Sequence, residues 1–171
     1  MIDLKSLIRE IPDFPKKGVL FRDITTLLKD RQAFQRVIRK LAGFYEDEGV
    51  DKVVAVESRG FILGAPLAYH LGAGFVPIRK PGKLPSDIFE VTYELEYGSD
   101  GLAVHQDAIA KGERILLVDD LLATGGTMEA AVNLVRRFEG VILGLVFLVE
   151  LTELQGRDRL RGYPILSLVT Y

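Results

Sequence analysis

The sequence contains no cysteine and no tryptophan, and it has only two histidines and two methionines among its 171 residues. The lack of cysteine excludes disulfide scaffolds, thiolate nucleophiles, zinc ribbons and iron–sulfur clusters, and it is compatible with a reducing cytoplasm. An excess of one charge is lacking too, since 22 Lys and Arg stand against 24 Asp and Glu, which gives a formal charge of −2. We therefore expect no nucleic-acid partner, and we expect any anionic ligand to be met by a local group of residues.

Targeting and membrane-spanning segments are not apparent either. The N-terminal residues carry charges throughout, which is unlike a secretory signal. The longest stretch without a charged residue, Gly60 to Ile78, contains four Gly and two Pro. We interpret this stretch as a buried helix, a turn and a strand rather than a membrane span. The sequence therefore predicts a single cytoplasmic domain over residues 1–171, and an apolar content of 48% is enough for a sizeable core.

Strands and helices alternate along most of the chain. Apolar spacing predicts amphipathic helices over residues 33–48 and after Gly126, with Phe44 and Tyr45 on the apolar stripe of the first. Apolar runs predict buried strands at 50–56, 75–78, 113–120, 141–151 and 164–171. This order predicts an α/β fold with a doubly wound, mainly parallel sheet flanked by helices. Ligands of such sheets bind beyond the carboxyl ends of the strands.

Two segments depart from this alternation. Residues 89–98 alternate apolar and charged side chains with period two, which predicts a half-exposed antiparallel ribbon or flap. The first 30 residues contain Pro12, Pro15 and Gly18 and are better suited to a lid or cap than to a sheet strand.

The strongest local feature is a buried strand that ends in two adjacent carboxylates, Asp119 and Asp120. The chain then turns into a helix through small residues with hydroxyls among them: Ala123, Thr124, Gly125, Gly126 and Thr127. Successive N–H groups and the positive end of a helix dipole would form a cradle for a monophosphate there. Neighbouring strand residues point to opposite faces, so we expect the two acids to have different partners.

Other interpretations of this segment remain open. An isolated turn of this composition is more often a surface turn with Thr124 as the helix N-cap. The GxxxxGK[ST] and GxGxxG patterns are absent, which disfavours nucleotide triphosphate hydrolysis and dinucleotide binding. A phosphate-accepting receiver domain is disfavoured because the anion cradle would then have no purpose.

Two further groups of cations follow predicted strands. The loop directly after the strand at 50–56 is Glu57-Ser58-Arg59-Gly60, in which Arg59 could either bind phosphate oxygens or pair with Glu57 on the surface. The second group is the turn after residues 75–78, which carries Arg79, Lys80 and Lys83. Such a run is more often a solvated loop, but at a strand end it is a candidate clamp for pyrophosphate.

The segment 115–131 resembles the phosphoribosyl-diphosphate motif of the type I phosphoribosyltransferases. The segments ESRGF, RKPGKLP, LEYG, FPKKGVLFRDIT and VELTELQGR narrow the resemblance to the adenine phosphoribosyltransferases, and they cover nearly the whole chain. The resemblance implies a type I phosphoribosyltransferase fold in which residues 1–30 form an N-terminal hood and the ribbon carries a flexible loop. It also implies a homodimer that converts adenine and 5-phosphoribosyl 1-diphosphate into AMP and pyrophosphate, with Mg²⁺ held mainly by substrate and water.

The same resemblance assigns roles to residues. Asp119 and Asp120 would bind the ribose hydroxyls, and the cradle would hold the 5-phosphate. The main chain around Leu20, Phe21 and Arg22 would bind adenine under the hood, with Leu151 closing the other face. Glu96 would exchange a proton with the purine, and Tyr97 would help to close the site. Arg59, Arg79, Lys80 and Lys83 would stabilise the departing pyrophosphate, while His70 and His105 match no catalytic motif.

Two rival functions stay open at this point. One is a phosphoribosyltransferase for a 6-oxopurine, xanthine or orotate, although VELTELQG offers no obvious donor side chain for an exocyclic oxygen. The other is a non-catalytic regulator that senses the sugar diphosphate. Such regulators usually need a basic face or an added domain.

Overall fold

A computed structural model describes residues 3–94 and 99–171 of the chain. Its strands are β1 (Arg9–Ile11), β2 (Phe21–Asp23), β3 (Lys52–Val56), β4 (Gly74–Ile78), β5 (Ile88–Glu94), β6 (Ser99–His105), β7 (Arg114–Leu122), β8 (Val141–Glu150) and β9 (Ile165–Thr170). The α-helices are α1 (Thr25–Leu28), α2 (Arg31–Ala42), α3 (Arg59–Leu71) and α4 (Gly126–Arg136). Three short 3-10 helices lie at Lys5–Leu7, Thr152–Leu154 and Gly156–Leu160.

Five parallel strands form the central sheet in the order β4-β3-β7-β8-β9. Alternate residues of β3 face opposite cores. Val53 and Ala55 pack in the core that includes α2 and α3, while Val54 and Val56 pack in the core that includes α4. Because both faces of the sheet are buried in apolar cores, successive residues of its strands are apolar, which is the pattern of parallel sheets between helices. The predicted doubly wound fold is confirmed.

The first predicted helix is shorter than expected. It begins at Arg31 and ends at Ala42 instead of residue 48. Asp30 caps its start, because the Asp30 carboxylate accepts a hydrogen bond from the Ala33 N–H at 2.8 Å. Gly43, a poor helix former, follows the last helical residue. The chain then turns, so Phe44 is 56% exposed and its predicted place on the buried stripe was wrong, whereas Tyr45 is buried.

The uncharged stretch from residue 60 onward forms most of α3, a turn and β4, as predicted. Gly72 ends the helix in the left-handed conformation, at φ +66°. Leu63 and Leu67 are fully buried, but Ile62 and Tyr69 are 42% and 91% exposed on the opposite side of α3. Among the described residues, no helix is both long and apolar enough to cross a membrane.

The two segments that break the alternation lie outside the central sheet. Strands β1 and β2 form a small antiparallel pair in the N-terminal segment. Strands β5 and β6 form the predicted antiparallel ribbon, and paired main-chain hydrogen bonds between Arg79 and Ala103 join it to the chain after β4. The ribbon packs one side against the α4 face of the sheet, through Phe89, Val91 and Tyr93.

Candidate active site

Two adjoining cavities open where β3 and β7 end. The larger has a volume of about 340 Å³ and the smaller about 200 Å³, and both are lined by Arg59, Asp119, Asp120 and Thr127. Because parallel strands present their carboxyl ends at one edge, residues 60 positions apart in the sequence meet there. The cavities therefore lie where the fold predicts a ligand.

The acid pair lies within β7, which continues to Leu122, two residues beyond the predicted end of the strand. The Asp119 Oδ1 accepts a hydrogen bond from the Asp120 N–H at 2.8 Å. Asp120 is only 4% exposed, and its Oδ2 lies 2.9 Å from the Arg59 Nε. Both acids line both cavities, so a division of the pair, with one acid toward the ligand and the other toward the sheet or a cation, stays a prediction. Arg59 pairs with Asp120, and the alternative pairing of Arg59 with Glu57 was wrong.

The electrostatics of the acid pair reflect its burial. Burial and the neighbouring Asp120 carboxylate raise the pKa of Asp119 well above its usual range. Burial also raises the pKa of Asp120, although the Arg59 guanidinium acts in the opposite direction. Such pairs are costly to ionise without a ligand, and hydroxyl donors or a cation supplied by a ligand would relieve that cost.

The segment after the acids forms the smaller cavity. Residues Ala123 to Thr127 line it, and α4 begins at Gly126. Gly125 is the N-cap residue, in the left-handed conformation at φ +85°, and it makes no side-chain capping hydrogen bond. The alternative role of Thr124 as an N-cap is therefore wrong. The first N–H groups of α4 are left for a ligand, which is the arrangement of an anion site at a helix N-terminus.

The larger cavity is lined by Ser58, Arg59 and Lys80, together with residues of the ribbon. The Lys80 Nζ lies 2.7 Å from the Asp100 Oδ2, and this hydrogen bond raises the pKa of Lys80. Lys80 thus brings a positive charge to the cavity, balanced by a carboxylate of β6.

The other two cations of the turn bind a buried carboxylate. Glu57 accepts hydrogen bonds from the Lys83 Nζ at 2.7 Å, the Lys80 N–H at 2.6 Å and the Arg79 Nε at 3.3 Å. Burial opposes its ionisation, but the hydrogen bonds from Lys83 and Lys80 outweigh this and lower the pKa of Glu57. The turn is therefore folded onto the protein, and of the predicted clamp Lys80 is the member that lines the cavity.

Sequence reasoning did not find three residues of this site: Glu57, Tyr93 and Asp100. The Tyr93 hydroxyl lies 3.4 Å from the Thr127 Oγ1, and burial raises the pKa of Tyr93. Tyr93 follows Phe89 and Val91 on the apolar side of the ribbon. A tyrosine hydroxyl at the end of this side is the sequence feature that could have identified it. Asp100 carries no such signal, because it is brought close to Lys80 by the antiparallel bridge that joins Arg79, after β4, to Ala103 of β6.

The hood residues lie next to the larger cavity. The Arg59 guanidinium lies 5.5 Å from the centre of the Phe21 ring, whose other neighbour is Phe14 in an edge contact at 5.1 Å. The Arg22 side chain is turned away, beside the Tyr171 ring at 3.9 Å and paired with Glu10. The Arg22 side chain is thus occupied elsewhere, which is compatible with a role for its main chain.

The remaining predicted residues differ in what can be described. Leu20 is 44% exposed, next to Phe21. Leu151 directly follows β8, and its N–H donates to the Leu122 carbonyl at 2.9 Å, which fixes it beside the end of β7. Glu96 and Tyr97 lie outside the described residues.

The charges around the two cavities are unequal. Asp100, Asp119 and Asp120 line them together with the cations Arg59 and Lys80. Among the described residues, no group of three or more His, Cys, Asp or Glu could hold a metal ion alone. The donor set thus suits a divalent cation that arrives with an anionic ligand and keeps water ligands.

Comparison with known proteins identifies the class. The model of the phosphoribosyl transferase domain family matches residues 23–166, so the chain belongs to this family of transferases. The adenine phosphoribosyltransferase of Acidobacterium capsulatum is 60% identical over 168 residues, which are 98% of this chain and 93% of that relative. Within the family, the chain is thus a member of the adenine phosphoribosyltransferases.

Solved structures agree with this placement. A crystal structure of adenine phosphoribosyltransferase from Thermoanaerobacter pseudethanolicus has a TM-score of 0.95 and 54% identity, over 98% of both chains. The enzyme from Saccharomyces cerevisiae, complexed with D-2,5-dideoxy-2,5-imino-altritol 1,6-bisphosphate and adenine, has a TM-score of 0.91 and 40% identity, over 96% of both chains. The family and fold that the sequence predicts are confirmed.

Proposed function

We infer that this chain transfers the phosphoribosyl group of 5-phosphoribosyl 1-diphosphate to adenine, which yields AMP and pyrophosphate. The relatives named above support both the reaction and the base. One observation links this reaction to particular residues. Arg59 lines the same cavities as the acid pair and the phosphate cradle, and its guanidinium lies beside the ring of Phe21 in the hood.

The donor's sugar and 5-phosphate are assigned to β7 and α4. Asp119 and Asp120 accept hydrogen bonds from the ribose hydroxyls, which offsets the cost of burying two ionised carboxylates. The N–H groups between Ala123 and Thr127 bind the 5-phosphate, with the Thr124 and Thr127 hydroxyls as further donors. These roles agree with the lining of the smaller cavity.

The diphosphate is assigned to the larger cavity. Ser58, Arg59 and Lys80 bind its oxygens, and Arg79 and Lys83 act from the turn that Glu57 holds in place. Mg²⁺ would be held mainly by the donor and water, beside the carboxylates that line this cavity, and would neutralise the charge of the leaving group. The surplus of carboxylates around the cavities supports this cation.

The transfer itself needs a positioned nucleophile. Adenine N9 forms a bond to the anomeric carbon as the bond from that carbon to the diphosphate oxygen breaks, and the N9 proton leaves to Glu96. Main-chain groups around Leu20 to Arg22 hold the base, and Phe21 and Leu151 enclose its ring. Tyr97 closes the site against water, which would otherwise attack the anomeric carbon.

The role of Glu96 has a direct test. Glu96→Gln keeps the size of the side chain but removes the base, so turnover should fall by roughly 100-fold or more while donor binding changes little. Steady-state kinetics and donor titration measure the two quantities. Unchanged turnover would remove Glu96 from the mechanism.

The compartment and the assembly are also proposals. The lack of cysteine suits a cytoplasmic enzyme. We propose a homodimer in which Tyr97 or the turn from Arg79 to Lys83 completes a neighbour's site. The exposed Ile62 and Tyr69 on α3 supply apolar surface for the contact. Light scattering of the purified protein would distinguish a dimer from a monomer.

The reaction is tested by pyrophosphate release. The pure protein, Mg²⁺ and phosphoribosyl diphosphate are mixed separately with adenine, guanine, hypoxanthine, xanthine and orotate. Release with adenine alone is expected. Release with another base would keep the anion sites but overturn the role of the hood, and no release with tight donor binding would indicate a regulator.

A further inference from the structure

The 3-10 helix Gly156–Leu160 lies directly behind the phosphate cradle. A Cβ atom on Gly125 would lie 2.5 Å from the Gly156 carbonyl oxygen. A Cβ atom on Gly156 would overlap the Ala123 carbonyl oxygen and lie 2.9 Å from the Leu122 Cδ1. The main chain of the cradle and the main chain of this helix are thus in contact, with no side chain between them.

Two ion pairs and one buried side chain fix the position of this helix. The Arg157 guanidinium donates two hydrogen bonds, of 2.6 and 2.7 Å, to the Glu150 carboxylate at the end of β8. The Arg159 Nη1 lies 3.2 Å from the Glu129 Oε2, in the first turn of α4. Leu160 is 1% exposed in the core on the α4 side of the sheet. The helix therefore connects the end of β8 to the start of α4.

The pair of Arg157 with Glu150 is the stronger of the two attachments. The Glu150 side chain is 5% exposed, and the hydrogen bonds from Arg157 lower its pKa. A bidentate pair with one buried partner is stronger and more directional than an exposed ion pair. The pair of Arg159 with Glu129 has both side chains about half exposed.

The cradle depends on its main chain. Its N-cap residue, Gly125, is in the left-handed conformation and has no side chain with which to cap α4. N–H groups bind a phosphate well only when they converge on it, and a displacement of a few tenths of an ångström weakens such a site. The contact with Gly156 therefore matters for the placement of these N–H groups.

We propose that Gly156 and Arg157 are positioning residues for the 5-phosphate of the donor. Neither residue lines the two cavities, so they act through the main chain of the cradle. The bidentate pair with Glu150 fixes the 3-10 helix, and the bare main chain of Gly156 supports the turn from Ala123 to Gly125. The proposal rests on the proposed function, because it takes the cradle to bind this phosphate.

The expected consequence is selective. Loss of the support should weaken ligands that carry the 5-phosphate and leave the diphosphate cavity unchanged, because Ser58 and Lys80 are held by other elements. A misplacement of about 1 Å can cost a bound group up to roughly 100-fold, so a tenfold loss of affinity is a reasonable expectation. A merely structural defect would weaken both kinds of ligand.

The test compares Arg157→Ala with Arg161→Ala. Arg161 is a matched control, since it directly follows the same 3-10 helix and its exposed pair with Asp158 does not reach the cradle. Calorimetry measures the Kd of ribose 5-phosphate and of magnesium pyrophosphate for each variant. For Arg157→Ala we expect a Kd for ribose 5-phosphate about tenfold higher and a Kd for magnesium pyrophosphate within twofold of wild type. Arg161→Ala should match wild type for both ligands.

A second variant and one control measurement keep the outcomes separate. Glu150→Gln leaves Arg157 in place without its charged partner, so it should give the same selective loss of affinity to a smaller degree. Thermal unfolding shows whether each variant is folded. Equal losses for both ligands, or no difference between Arg157→Ala and Arg161→Ala, would overturn the proposal. If the wild-type protein failed to bind ribose 5-phosphate, the proposed function would fail instead.

Discussion

At the scale of single residues, the acid pair shows how a binding site is built at a cost to stability. Asp119 and Asp120 follow the buried apolar residues Ile115 to Val118 within β7, and Asp120 is 4% exposed. Burial is the main cause that raises the pKa of each acid, and the Asp120 carboxylate raises the pKa of Asp119 further. Their presence is explained by a ligand that supplies donors or a cation.

This cost gives a prediction for Asp119→Asn. The pKa of Asp119 is raised on folding, so its carboxyl destabilises the folded protein increasingly as pH rises from about 4 through the raised value. The asparagine amide carries no charge, so the variant should stabilise the ligand-free protein at pH 7. We expect a gain of a few degrees in Tm, since 1 kcal/mol corresponds to about 2–4 °C for a chain of this size. The gain should vanish near pH 4, where the carboxyl is protonated in both states.

The same variant should lose activity. An amide is a weaker acceptor for the ribose hydroxyls, and the loss of one charged hydrogen bond predicts a fall of roughly 10- to 100-fold in kcat/KM for the donor. Asp158→Asn is the control and should change neither quantity, because the Asp158 side chain is exposed and pairs with Arg161 at the surface. A lower Tm for Asp119→Asn at pH 7 would contradict this account.

At the scale of elements, a turn that the sequence shows only as a group of cations is fixed by one carboxylate. Glu57 follows β3 and is buried, and it reaches Arg79, Lys83 and the Lys80 main chain after β4. Because β3 and β4 are neighbours in the sheet, the two loops meet at the same edge. The Lys80 side chain lines the cavity, where it pairs with Asp100.

Glu57→Gln should therefore loosen this turn. The pKa of Glu57 is lowered on folding, so its stabilising effect is present above about pH 4.3 and is lost as pH falls through the lowered value. The partners are about 36% and 49% exposed, which limits the expected loss to about 1–2 kcal/mol at pH 7. Urea unfolding measures this, and the difference from wild type should narrow below pH 4.

A matched control for this prediction is available. Lys111 and Glu139 form an ion pair in which both side chains are mostly exposed. Glu139→Gln should change the free energy of unfolding by less than about 0.5 kcal/mol. The KM for the donor should rise for Glu57→Gln alone. Equal effects of the two substitutions would show that Glu57 has no special role in fixing the turn.

At the scale of the whole molecule, the parallel sheet brings the ligand-binding segments together. The loops after β3 and β4, the turn after β7, the ribbon and the hood all meet at one edge. The cavity walls carry more carboxylates than cations, so the whole site is suited to a donor that brings its own divalent cation. Donor binding should thus depend on the metal.

Thermal unfolding with and without Mg²⁺ tests this dependence. A ligand at 100 times its Kd stabilises the folded state by about 2.7 kcal/mol, which for this chain corresponds to roughly 5–10 °C. We expect phosphoribosyl diphosphate with Mg²⁺ to give such a shift and the donor with a chelator to give a much smaller one. Equal shifts in the two conditions would show that the metal does not take part in donor binding.

The sequence by itself determined the layout of the chain and its chemistry. Apolar runs identified the strands of the sheet, since burial on both faces leaves a continuous apolar pattern. The acids and small residues from Asp119 to Thr127 indicated a phosphate site, because such a site uses main-chain groups and needs no rare side chain. The ribbon was evident from its period of two.

Only the tertiary structure decided which charges face each other. Arg59 pairs with Asp120 instead of Glu57, and Glu57 binds cations more than 20 positions away, because neighbouring strands bring their loops to one edge. Asp100 reaches Lys80 through the bridge between Arg79 and Ala103, and the main chain of Gly156 packs against Gly125, 31 positions earlier in the chain. Such contacts depend on distances in space, which no local pattern of residue types records.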